Sequence, residues 1–225
     1  MSHSGEQVVI VGAGHAGGTA AALLRQYGYE GRIVLLGEEP IPPYQRPPLS
    51  KAWLKGEADA DSLALKPLEF YAEADIEFRP STTVTGLKRA DRQVVLSSGE
   101  TLSYDHLILA TGMRPNPLPV PGADQAGVLS LRSAADAEAL KAALGPGKRI
   151  AIIGGGYIGL EVAASARALG ASVTVLEREP RLLARSACEV LSTFFQTYHE
   201  KHGVRFELGC SVTGLEGSGQ VTGVT

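Results

Sequence analysis

The chain has 225 residues, room for one large domain or two ordinary ones at about 100–200 residues each. It is 44% hydrophobic and 20% charged, an ordinary globular composition, and its formal charge of −3 leaves no footprint for nucleic acid or a membrane surface. Met1–Gln7 carries no apolar signal region and no apolar run approaches the ~18–20 residues of a membrane span, so a cytoplasmic protein is expected, with neither membrane nor nucleic acid as partner.

Gln7–Val11 is a short run rich in valine and isoleucine that ends at Gly12, the pattern of a buried parallel strand. From Ala16 the apolar positions Ala20, Leu23, Leu24 and Tyr27 recur at helical spacing, and Gly28 stands where the helix should stop. Arg32–Leu36 is the next strand, completing a βαβ unit. A loop rich in proline follows, ending in "YQRPPLSK" (44–51) with the cations Arg46 and Lys51, and a short helix is expected at Lys51–Leu54. Prolines fix φ and lower the entropy cost of ordering, so this loop reads as a stiff support for charge.

Between 76 and 110 the character changes. Short strands at Ile76–Phe78, Val84–Lys88 and Gln93–Leu96 are broken by the turn sequences "RADR" and "SSGE", so an antiparallel meander inserted into an α/β domain is expected. "HLILATG" (106–112) is another apolar strand ending at glycine. "RPNPLPVPG" (114–122) has four prolines in nine residues and marks the expected boundary, with 1–114 as the first domain and 115–225 as the second.

Ser133–Leu144 reads as a helix and Arg149–Ile153 as a strand. A helix on Ile158, Val162, Ala166 and Leu169 and a strand at Ser172–Leu176 then complete a second βαβ unit. An amphipathic helix is expected from Ala187 to Lys201, with Val190, Leu191, Phe194, Phe195 and Tyr198 as its apolar positions. The five histidines show no metal spacing, and His199 and His202 read as a solvated helix end. Cys188 and Cys210, 22 positions apart, form no CxxC and read as inert thiols. Val204–Glu207 and Val221–Thr225 read as strands, the last as a strand in progress, so the sequence is expected to be truncated relative to a complete functional unit.

The chemistry resides in the two glycine motifs. In "VVIVGAGHAGG", Gly12, Gly14 and Gly17 give G-x-G-x-x-G between a strand and a helix. The first glycine makes the tight turn, the second lets a pyrophosphate approach the backbone, and the third lets helix and strand pack closely. The helix N-terminus offers N–H groups to the phosphates. A ribose-binding carboxylate should follow at the end of the second strand. Glu38 stands 21 after Gly17, with Glu39 the neighbouring option. Gly154, Gly156 and Gly159 repeat the pattern, with Glu177 placed 18 later. A carboxylate there favours the free 2′-hydroxyl of NAD over the 2′-phosphate of NADP, a preference that Arg178 and Arg181 could soften. Two such sites in one chain suggest a flavin and a nicotinamide.

"PYQRPPLSKAWL", "LILATGMRP" and "GGGYIGLEVAA" together resemble the FAD-dependent NADH reductases that serve ferredoxin or rubredoxin, the putidaredoxin and rhodocoxin reductase-like branch of the glutathione-reductase-like flavoproteins. The resemblance runs along essentially the whole chain, and "PPLSK" separates this branch from those with a redox cysteine pair. It implies an α/β fold of two Rossmann-like dinucleotide-binding domains, the first carrying the meander. On that resemblance, the returning FAD segment and the C-terminal domain of the family fold are expected to be missing from this sequence. It also implies FAD and NADH as cofactors, no metal, and an iron–sulfur electron acceptor of ferredoxin or rubredoxin type. Related alternatives are a flavoprotein like NADH oxidase or nitrite reductase, and a truncated, non-catalytic dinucleotide-binding fragment.

For individual residues, the resemblance implies that Gly12, Gly14, His15, Ala16 and Gly17 hold the FAD diphosphate, Glu38 the adenosine ribose and Val84 the adenine. Ala110, Thr111, Gly112 and Arg132 join the FAD set, and Lys51 falls beside the isoalloxazine near N5. Gly154, Gly156, Tyr157, Ile158, Gly159 and Glu177 form the NAD set. Glu161 resembles the acid that can pair with the active-site lysine, so Lys51 and Glu161 form the expected catalytic pair. Plainer readings stay open. Arg46, also in the cofactor set, could bridge within its own loop, Val84 could be core, Arg132 could be a surface residue before a helix, and Tyr157 could shield a flavin or simply pack.

Overall fold

A computed structural model describes residues 5–225. In chain order the first half has β1 (Gln7–Val11), α1 (His15–Gln26), β2 (Arg32–Leu36), a 3-10 turn (Pro47–Ser50), α2 (Ala52–Lys55), α3 (Ala60–Leu63), α4 (Leu68–Glu73), β3 (Ile76–Arg79), β4 (Val84–Lys88), β5 (Gln93–Leu96), β6 (Thr101–Ser103) and β7 (His106–Leu109). The second half has α5 (Ala134–Ala143), β8 (Arg149–Ile153), α6 (Tyr157–Ala168), β9 (Ser172–Glu177), α7 (Glu189–Lys201), β10 (Val204–Leu208), β11 (Leu215–Gly217) and β12 (Val221–Val224). The chain forms two compact units. One comprises the residues up to Arg46 with Ala60–Met113, and the other Pro47–Asp59 with Arg114–Thr225.

In the first unit a parallel sheet runs β3-β2-β1-β7. Its central strands β1 and β2 are apolar after their first residue because both faces are covered. Val8, Ile10, Ile33, Leu35 and Ile76 pack with Ala21 of α1 and Tyr71 of α4. On the other face Val9, Val11, Val34 and Leu36 pack against Val94, Leu96 and Leu102 of the antiparallel β4-β5-β6 layer. The expected meander is therefore shorter than its sequence reading. Ile76–Arg79 joins the parallel sheet beside β2, with Ile76 opposite Ile33, and the antiparallel layer begins only at Val84. The helix α4, not foreseen from the sequence, supplies the crossover that parallel pairing requires.

The second unit has a parallel sheet β10-β9-β8 and an antiparallel pair β11-β12. Val173, Val175 and Val204 pack with Ala163 and Ala166 of α6. Among the described residues β8 pairs only with β9, and none of its five residues is buried, whereas its counterpart β1 lies between two strands. A cavity of about 1050 Å³ opens beside β8, lined in part by Ile150, Ile152, Leu140, Val162, Leu215 and Val221. Leu54 is fully buried with Leu140 and Val162, so Pro47–Asp59 is held in this unit although its sequence position suggests the first.

Two expectations about α7 are corrected. His199 is buried, with Phe206 packed against it edge-to-face at 6.3 Å, rather than solvated. The apolar positions Val190, Phe194 and Tyr198 are mostly exposed, and Ser192 faces inward instead. Ser192 is satisfied there because its Oγ donates to the Leu182 carbonyl at 2.6 Å and accepts from Arg181 at 2.9 Å. Among the described residues no helix is long and apolar enough to cross a membrane.

Candidate functional site

The two glycine turns have one geometry. Gly12 has φ +107° and Gly154 has φ +108°, in the region that disfavours residues with a Cβ. Their amides are held alike, donating to Leu36 O at 2.9 Å and to Leu176 O at 2.8 Å. A Cβ on Gly17 or Gly159 would run into the carbonyl of Gly12 or Gly154, so glycine there lets the helix meet the turn. A Cβ on Gly14 or Gly156 would meet nothing within 4 Å. These two residues cap α1 and α6 with no side-chain cap bond and no acid in the first turn. Each helix therefore presents backbone N–H groups and its positive end to open space, a donor set that fits a diphosphate.

His15 and Ala16 open α1, and Tyr157 and Ile158 open α6; all four are exposed. Tyr157 does not pack into the core. The backbone of Ala110, just beyond β7, closes on Gly12, and Thr111 and Gly112 follow it, exposed. Val84 is partly buried against the core cluster of Val9, Val34 and Leu36.

The acids of the two turns differ. Glu177 accepts from the amide of Gly155 at 2.6 Å and from that of Glu179 at 2.8 Å. In the first unit Ala13 and Gly37 occupy the equivalent places, and a Cβ on Gly37 would press on that of Ala13. The acid of the first unit thus comes one residue later. There Glu38 is exposed, while Glu39 accepts from Tyr44 Oη and from Arg46, both at 2.7 Å. Arg46 also lies over the Tyr44 ring, 5.1 Å from its centroid. Arg46 therefore bridges within its own loop.

Near the second turn, Arg181 donates to the carbonyls of Ala184 and Ala187 and to Ser192, so it is tied into its loop. Arg178 is 75% exposed and pairs with Glu179 at 3.2 Å. Arg132 is exposed before α5, and its amide donates to Asp136 at 2.9 Å.

The structure brings Lys51 and Glu161 together. Lys51 Nζ lies 2.8 Å from Glu161 Oε1 and donates to Pro47 O at 3.1 Å. Ser50 Oγ donates to Glu161 Oε2 at 2.5 Å, and Ser165 Oγ to Ser50 O at 2.7 Å. Sequence reasoning passed over Ser50 and Ser165. The available signal was the serine immediately before the lysine in "PPLSK" and the helical spacing of Glu161 and Ser165.

Residues 6–225 match the pyridine nucleotide-disulphide oxidoreductase family. The chain belongs to that family. Within it, a probable ferredoxin reductase of Castellaniella defragrans is 51% identical over 99% of this chain and 54% of its own length. Rhodocoxin reductase of Rhodococcus erythropolis is 44% identical over 97% of this chain and 51% of its own. Among solved structures, putidaredoxin reductase in its covalent complex with putidaredoxin superposes with a TM-score of 0.94 at 43% identity, covering 97% of this chain and 54% of that one. The chain spans about half the length of the curated relatives it matches. In this pyridine nucleotide-disulphide oxidoreductase chain Cys188 and Cys210 are free thiols, and the "PPLSK" loop carries the Lys51–Glu161 ion pair.

Proposed function

We propose that this chain is the dinucleotide-binding portion of a flavoprotein oxidoreductase that passes electrons from NADH through FAD to an iron–sulfur protein of ferredoxin or rubredoxin type. The observation that carries this reading is one glycine-turn geometry used twice in a single chain, with Lys51 paired to Glu161 of the helix that the second turn opens. The names of the relatives support the acceptor class.

The first turn and the N–H groups of α1 would hold the FAD diphosphate, with His15 and Ala16 at its start and Glu38 at the ribose. Val84, Ala110, Thr111, Gly112 and Arg132 complete the proposed FAD set. The second turn, with Tyr157 and Ile158, would hold NAD, and Glu177 would accept from the ribose hydroxyls and repel a 2′-phosphate. When bound, FAD supplies the chemistry, taking a hydride from NADH and passing electrons on singly. Lys51 would hold a fixed positive charge at Nζ, and Glu161 would keep that ammonium oriented. The two free thiols favour a reducing compartment, the cytoplasm.

Absorbance spectroscopy tests the reading. The protein mixed with FAD should retain a flavin spectrum after gel filtration, and NADH should bleach it anaerobically. Retained flavin that NADH leaves oxidised would overturn the redox role. One rival is a dinucleotide-binding module without turnover, since both glycine turns belong to nucleotide binding alone. A preparation that binds NADH and takes up no FAD would support that module.

A further inference from the structure

We propose that Ser50 is a positioning residue for Lys51, acting through Glu161. This rests on the reading of Lys51 as the cation of the flavin site, although the geometry belongs to the protein alone. Ser50 is 5% exposed, and its Oγ donates at 2.5 Å to one oxygen of Glu161 while Lys51 takes the other at 2.8 Å. Ser165, also buried and one turn beyond Glu161 on α6, donates to the backbone carbonyl of Ser50 at 2.7 Å. Two rungs from one face of α6 thus fasten the loop, one to the serine's side chain and one to its backbone.

The arrangement answers a physical difficulty. Lys51 is 48% exposed and Glu161 31%, and an ion pair that open to water gains little and samples many rotamers. A buried hydroxyl bonded to the carboxylate is a charge-assisted donor that removes this freedom. The carboxylate then presents its second oxygen in one direction. The Lys51 ammonium follows it, with the Pro47 carbonyl as its other acceptor at 3.1 Å. Ser50 is therefore what turns a surface ion pair into a fixed charge.

The test is competitive acetylation of the 225-residue chain with limiting acetic anhydride, Lys51 being read by mass spectrometry against exposed Lys201. A lysine held in an ion pair reacts slowly because its nitrogen is engaged with its acceptors and shielded from the reagent. Ser50→Ala should raise the Lys51 rate about threefold relative to Lys201, the scale of weakening one partly exposed ion pair. Glu161→Gln should raise it at least as much. Ser165→Ala, which frees the serine's backbone, should give a smaller rise. A Ser50→Ala rate equal to wild type would overturn the proposal, whether or not Glu161→Gln responds. Protein that takes up FAD adds a second readout, in which Ser50→Ala should slow NADH bleaching with the Kd for NADH unchanged. Failure to take up FAD would count against the proposed function, while the Lys51 labelling rates would still decide the role of Ser50.

Discussion

The amide of Gly155 donates to Glu177 Oε2 at 2.6 Å, so the middle of the second glycine turn is bonded to the acid at the end of β9. The first unit solves the same turn with Ala13 against Gly37, small on the other side. A side chain fits on one partner or the other, not both. A Cβ on Gly155 would press into the Leu182 side chain at 2.6 Å and stand 3.2 Å from the Glu177 carboxylate. Gly155→Ala should therefore cost ~1–3 kcal/mol, an overpacking penalty, read as a lower urea midpoint with unchanged slope. An unaltered midpoint would show that the loop carrying Leu182 yields freely.

Glu177→Ala removes the carboxylate that both backbone amides hold. The ratio of Kd values for NADPH and NADH should fall roughly tenfold, the scale of one lost charge-assisted contact. Arg181 stays tied to its loop carbonyls, so of these two arginines Arg178 is the one available to a 2′-phosphate. Nucleotide titration measures the ratio, and no change in it would remove Glu177 from the coenzyme site.

Lys51→Met keeps length and loses charge. Stopped-flow reduction by NADH should slow about ten- to hundredfold, the scale of a preorganised charge near a reacting centre. FAD affinity should change far less. An equal single-turnover rate would sink the electrostatic role.

Tyr71 is 1% exposed, its hydroxyl finds no hydrogen-bond partner among the described residues, and burial pushes its pKa up to about 12. Tyr71→Phe removes an unsatisfied polar atom and keeps the ring contacts with Phe70 and Phe78. Thermal melting should show equal stability or a gain of about 0.5–1 kcal/mol. A clear loss would mean that the hydroxyl has a partner in solution.

Burial lowers the pKa of His199 below its ordinary 6.5, and His202 lowers it further. The unfolded chain then binds this proton at a higher pH than the folded one. Stability is full above about pH 6.5 and falls with pH down to the folded-state value. His199→Phe, which preserves the packing on Phe206, should flatten the change in urea midpoint between about pH 7 and pH 5. An unchanged slope would place the loss in other groups.

The glycine turns were legible because their causes are local. A strand, a positive-φ glycine and a helix lie in one contiguous stretch, Gln7 to Gln26 or Arg149 to Ala168, and the spacing to the acid follows from one βαβ unit. The short helix α4 was not legible, and without it Ile76–Arg79 looked like one more antiparallel strand. The outward Phe194 and inward Ser192 of α7 were hidden too, since hydropathy places phenylalanine inside and serine outside. Ser192 is inside because Leu182 O and Arg181, in the preceding loop, supply its hydrogen bonds.

By itself the sequence determined two nucleotide turns, the order of strands and helices around them, and the absence of a CxxC pair. The proximity of Lys51 and Glu161 entered that reading only through a family resemblance. Tertiary structure decided that Pro47–Asp59 packs with the second unit and that Ser50 stands 111 positions from the carboxylate it holds. Such contacts arise from the burial of Leu54 against Leu140 and Val162, a packing choice that local spacing does not encode.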